Sequence, residues 1–269
     1  MIFLLVITYY PQDYIIDKLL KIILKIILKI ILKIILKIMI NTLSFFNNSI
    51  NEICNIFLID FSYLLYNYFS KINCSNTKRW FLLHSIVNMI VVYYSVKDVQ
   101  TCIVNISTCY SIPWNNNSIK VYNYAFMLHI YHCIFFKLTI NDYLHHFFMV
   151  AICGTMCFKL KSILSSFSLF FLSGLPGGID YFLLYLVKNN QINTITEKKI
   201  YIYLSAYIRS PGCIFTFLIG MNGVVTYYNN KNYYKCILIL STIVLIFLNG
   251  QYYLMKSHET YFKKRMLSH

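Results

Sequence analysis

The chain has 269 residues, of which 58% are hydrophobic and only 12% charged, with a formal net charge of +15 and a mean hydropathy of +0.59. A soluble domain of this length carries about 25% charged residues, so the composition excludes an ordinary soluble enzyme and points to a multi-pass membrane protein. The lysines flank apolar stretches and form no clustered face, which suits anionic lipid headgroups and argues against nucleic acid as a partner.

Residues 1–40 read as a separate, low-complexity segment. A four-residue unit, Lys-Ile-Ile-Leu, repeats from Lys21 to Leu36. On a helix each lysine advances about 40° on the last, so the stripe winds around the axis. This reads as a compositional tract, with an interfacial helix as the functional alternative. Residues 41–255 are expected to form an all-α transmembrane bundle of six to seven helices, and residues 256–269 a basic cytosolic tail.

In order, the apolar stretches run over 53–69, 80–96, 121–138, 142–160, 162–187, 200–225 and 236–255. The fifth is interrupted by Gly174, Pro176, Gly177 and Gly178, and the sixth by Arg209-Ser-Pro-Gly, so both predict broken helices. Lysine bias places the tail and the 188–199 and 71–79 loops in the cytosol, with the 97–120 loop on the opposite side. The nine cysteines include no C-x-x-C pair and imply no disulfide framework. The many tyrosines are expected chiefly at the interfaces, as aromatic belts.

Four of the seven histidines, together with Asp142 and Asp180, fall between residues 129 and 180. An ionisable side chain at bilayer depth costs roughly 2.5–3.5 kcal/mol on insertion scales, so such residues face a bundle interior or a polar cavity. His145 and His146 point about 100° apart on a helix, so one works while the other orients or binds. Asp142 lies three and four residues before them and is spaced to orient an imidazole. His129 and His132 share a face of the preceding helix, and the turn at 139–141 brings the two helices together. His84 sits one turn from Asn88 on the second span. Asp180 follows the glycines as a second carboxylate, and Arg209 is a partner for it or for an anionic headgroup. Packing between helices is the competing explanation for all of these histidines.

Trp80 to His84 opening a span, Asp142-x-x-His145-His146 at the head of another, and Asp180 in the next together resemble the TLC domain of ceramide synthases and translocon-associated membrane proteins, over roughly residues 45–255. The resemblance implies a lipid-related protein of the endoplasmic reticulum membrane. It also implies an active site at His145, His146 and Asp180 that transfers an acyl chain from acyl-CoA, with no bound cofactor and no metal. Where the synthases carry further acids this chain has Gly177-Gly178-Ile-Asp180. Two other functions fit the same residues. One is a lipid-binding or membrane-composition protein without turnover. The other is a di-iron hydroxylase, which needs about eight histidine ligands where only five lie near the membrane domain.

Overall fold

In the computed structural model, residues 43–71 and 75–267 are described, and every regular element among them is helical. The lysine repeat of residues 1–40 lies outside the described residues. Seven helices follow one another: α1 (Leu43–Phe69), α2 (Asn76–Val104), α3 (Asn116–Phe135), α4 (Ile140–Leu160), α5 (Ile163–Lys188), α6 (Thr194–Asn229) and α7 (Tyr233–Met266). Five of them, α2 and α4 to α7, are long and apolar enough to cross a membrane. Their outer faces carry large apolar side chains such as Tyr93, Phe148, Leu218, Ile237 and Leu248. A water-facing bundle would bury such residues, and lipid leaves them outside at no cost. The chain is therefore an all-α bundle built as an integral membrane protein requires.

Short polar residues punctuate it. Ser75, Asn115, Thr139, Ser162, Asn193 and Asn232 each accept a backbone N–H of the first turn of the helix they open, from α2 through α7. Such caps satisfy donors that the helix itself leaves free. The turn between α4 and α5 is tight: Lys161 adopts a left-handed φ of 48° and Ser162 already caps the next helix.

The two expected breaks are not breaks. Residues Phe170–Gly174 and Ser205–Arg209 form single wide π-helical turns, and the helix continues beyond each. Pro176 and Pro211 fall in the first turn of the α-helical stretches that follow. Proline lacks the N–H that an α-turn needs, and the wider turn absorbs the mismatch without ending the helix. A third π-helical stretch, His146–Gly154, starts at the second histidine of the pair.

α3 is the axis of the bundle. Residues Val121 through Leu128 are all buried, a run that covers every direction around a helix, so α3 is surrounded rather than facing lipid. That is why it tolerates Asn123, His129 and His132. The two ends of the bundle are distinct. At one end the segment before α3 meets the α4–α5 turn, where Trp114 N–H donates to the Lys161 carbonyl at 2.8 Å and the indole N–H to the Ser162 carbonyl at 2.7 Å. At the other end the start of α2 lies against the end of α3, with the Trp80 ring stacked on His132 at 3.8 Å between centroids. Asp60 of α1 joins this second end through a two-pronged ion pair to Arg79, at 2.6 and 2.7 Å, and accepts the Tyr131 hydroxyl at 2.5 Å.

Candidate functional site

Five histidines from three helices meet at the Trp80 end of the bundle. His129 of α3 is the hub. Its Nε2 lies 3.3 Å from Nε2 of His145 on α4, and its ring centroid is 5.2 Å from that of His146 and 6.1 Å from that of His84. His132 is 5.3 Å from His146, behind the Trp80 ring.

The hydrogen bonds fix how the protons are arranged in the neutral cluster. Nδ1 of His129 lies 2.6 Å from the Ala125 carbonyl. A carbonyl only accepts, so Nδ1 carries the proton and Nε2 presents a lone pair. Nε2 of His145 faces that lone pair and must be the N–H that donates to it. His145 is left with an unprotonated Nδ1, a base. A backbone carbonyl thus sets the tautomer of one ring, and that ring sets the tautomer of the next.

The pair is split, as the 100° separation of neighbouring helix positions predicts. His145 faces His129 and a cavity of ≈ 150 Å³, whereas His146 turns to the Cys133 thiol, with Sγ 3.2 Å from Nδ1. Of the residues singled out in the sequence, His84, His129, His145, Asp180 and Arg209 line that one cavity. His132 and His146 stand behind its wall and touch it through ring contacts with the others. Asp142 is placed differently from the expectation. Its Oδ2 accepts the backbone N–H and the hydroxyl of Thr139, both at 2.7 Å, so the carboxylate closes the capping box of α4 and has no hydrogen bond to a histidine. The cap wins because it lies within one turn of the carboxylate and offers two donors at once.

The chain matches no protein-family profile, no curated protein and no solved structure. The site rests on its own geometry.

The opposite wall comes from α5, α6 and α7. The His84 ring stacks on Tyr181 at 3.7 Å and 10° between planes. Arg209 is 5% exposed, donates from Nε to the Leu172 carbonyl at 3.0 Å and from Nη1 to the Tyr201 hydroxyl at 3.4 Å, and lies 4.7 Å from the Tyr253 ring centre. The expected Asp180–Arg209 salt bridge is not formed: among the described residues no carboxylate comes within ion-pair distance of the guanidinium. Asp180 instead shares a side-chain hydrogen bond with Glu197, which pairs with Lys198 at 3.1 Å. Two buried polar atoms on the cavity wall, Nδ1 of His84 and Nδ2 of Asn88, have no hydrogen-bond partner. An unmet buried polar group costs about 1–3 kcal/mol, so two around one space favour a ligand that satisfies them. The rest of the wall is apolar, with Met149, Val150, Leu169, Leu172 and Ile246.

All three π-helical stretches border this space, through Met149 and Val150, Leu172 and Ser173, and Arg209. Such turns are rare and recur at functional sites. Sequence reasoning missed Tyr181, Tyr201 and Tyr253, which line the cavity instead of a membrane interface. Their spacing from Asp180 and Arg209, at i+1 and i−8 within the same helices, was the available signal for the first two. Among the described residues no group of three or more His, Cys, Asp or Glu is arranged to hold a metal ion.

Proposed function

We propose that the chain is a TLC-type protein of an endoplasmic-reticulum-type membrane that transfers an acyl group from acyl-CoA to a lipid held in this cavity. The observation that carries the reading is the His129–His145 contact inside a cavity whose lining combines polar groups with an apolar stretch of Met149, Val150, Leu169 and Leu172. His145 Nδ1 takes the proton from an amine or hydroxyl of the acceptor as it attacks the thioester carbonyl. The new C–N or C–O bond forms, the C–S bond breaks, and the imidazolium returns its proton to the departing thiolate. While His145 is charged, its Nε2–H remains bonded to the lone pair of His129, which stabilises the cation. The unpartnered Asn88 Nδ2 is a donor for the oxyanion of the tetrahedral intermediate. Lys78, Lys137, Lys188, Lys198 and Lys199 lie in or beside the loops at the histidine end of the helices and draw in the CoA phosphates.

The test is acyl transfer from labelled acyl-CoA in membranes holding the native chain or the His145→Ala/His146→Ala double variant at equal abundance. A labelled lipid seen only with the native chain supports the enzyme. Equal background across several acceptors ends the acyltransferase reading.

A second reading, lipid holding without turnover, is favoured by the position of His146. It is turned onto Cys133, so only one imidazole of the His-His signature borders the cavity. In that case the histidine variants change the lipid that copurifies and abolish no turnover.

A further inference from the structure

The acyl-transfer steps give Arg209 no task, yet it is a cation only 5% exposed on the cavity wall. A buried cation without a counter-ion in contact is destabilising unless something offsets it. The Tyr201 and Tyr253 rings, 5.6 and 4.7 Å from the guanidinium carbon, supply part of that offset. Hydrogen bonding does not complete it. A guanidinium has five N–H donors, and two are engaged, by the Leu172 carbonyl and the Tyr201 hydroxyl. The remaining three belong to a group that lines the cavity. Asp180 is on the same wall but outside ion-pair distance, and Glu197, the other acid of the group, is paired with Lys198 at 3.1 Å. The charge of Arg209 is therefore open to a ligand.

We infer that Arg209 anchors the oxyanion headgroup, a carboxylate or phosphate, of a single-chain lipid. The planar fork of the guanidinium matches both groups in two-pronged fashion. At ≈ 150 Å³ the cavity equals one that admits a benzene-sized molecule, so it holds a headgroup and the first few carbons. The start of the tail lies against Met149, Val150, Leu169 and Leu172, the apolar part of the lining. This inference rests on the lipid-cavity reading of the site and is independent of whether any acyl group is transferred.

The experiment measures retention of labelled single-chain lipids by the full chain in neutral-lipid nanodiscs. The probes share one oleoyl tail and differ in the head: oleate, oleoyl lysophosphatidate, uncharged monoolein and cationic oleylamine, with inorganic phosphate as the tail-free anion. Oleate and lysophosphatidate are expected to bind roughly tenfold or more tighter than monoolein and oleylamine, the worth of one charge-assisted contact. Arg209→Gln should abolish that preference, and Arg209→Lys should restore part of it. Equal binding of all four heads by the unmodified chain overturns the inference without any variant being needed. So does a preference that survives Arg209→Gln. Inorganic phosphate binding as tightly as lysophosphatidate would assign the site to a free anion and also overturn it. Selective retention of oleate by a chain that transfers no acyl group would end the acyltransferase proposal and leave this one standing. Transfer without headgroup selectivity would do the reverse.

Discussion

Asp60 is the residue through which α1 is tied to the histidine end of the bundle, and its removal should be costly. The side chain is 2% exposed and receives three hydrogen bonds, two from Arg79 and one from Tyr131. Asp60→Ala leaves a guanidinium without its counter-ion and a tyrosine hydroxyl without its acceptor. Breaking one side of a buried pair costs about 3–5 kcal/mol. Arg79 retains 14% exposure and stacks on Phe136 at 4.6 Å, so it rehydrates in part. The lower end, about 3 kcal/mol, is therefore expected. The assay is reversible unfolding of the purified chain in mixed micelles, titrated with SDS and followed by circular dichroism. Asp60→Leu/Arg79→Met should recover most of the loss, because an apolar pair of similar volume replaces the ion pair at little cost. A loss below about 1 kcal/mol for Asp60→Ala, the worth of a surface pair, would refute the reasoning. So would a double variant no more stable than the single one.

Other perturbations separate packing from chemistry. Gly212→Ala places a Cβ into the Phe171 ring and should cost about 1–3 kcal/mol in the same unfolding assay. Because Leu172, the next residue, holds Arg209, this variant should also weaken oleate retention. Trp80→Ala removes the ring stacked on His132 and should cost about 3–5 kcal/mol, with Trp80→Phe much milder. Thr139→Ala and Asp142→Ala each remove one half of the α4 capping box. Both should lose about 1 kcal/mol of stability, with similar, small effects on turnover. An Asp142 variant that stops turnover while Thr139→Ala does not would show the carboxylate acting on a histidine instead.

Composition and hydropathy suffice for the all-α bundle, because apolar runs near the length of a bilayer leave few alternatives. The cost of buried charge then singles out eight residues, of which His84, His129, His145, Asp180 and Arg209 share one cavity, while His132 and His146 stand behind its wall and Asp142 caps α4. Three features were not legible. Two of the π-helical stretches precede Pro176 and Pro211 and the third, His146–Gly154, has no proline near it, so no local pattern records them. The role of Asp142 turned on a competition between two targets, a nearby histidine and the cap of its own helix, and helical spacing is the same for both outcomes. The Asp60–Arg79 pair joins a residue inside an apolar stretch to one read as part of a loop, because α2 starts at Asn76, earlier than hydropathy places it.

The tautomer chain from Ala125 through His129 to His145, with His146 turned aside onto Cys133, makes the members of the histidine cluster unequal. The most direct measurement is single-turnover acyl transfer from labelled acyl-CoA by the reconstituted chain, comparing His145→Gln, His129→Gln and His146→Gln at equal folded abundance. On the proposed mechanism, loss of His145 as general base should lower the rate at least about 100-fold. Loss of its orienting partner should have a smaller effect, and loss of His146 the smallest. A chain most sensitive at His146, or equally sensitive at all three positions, would contradict the account.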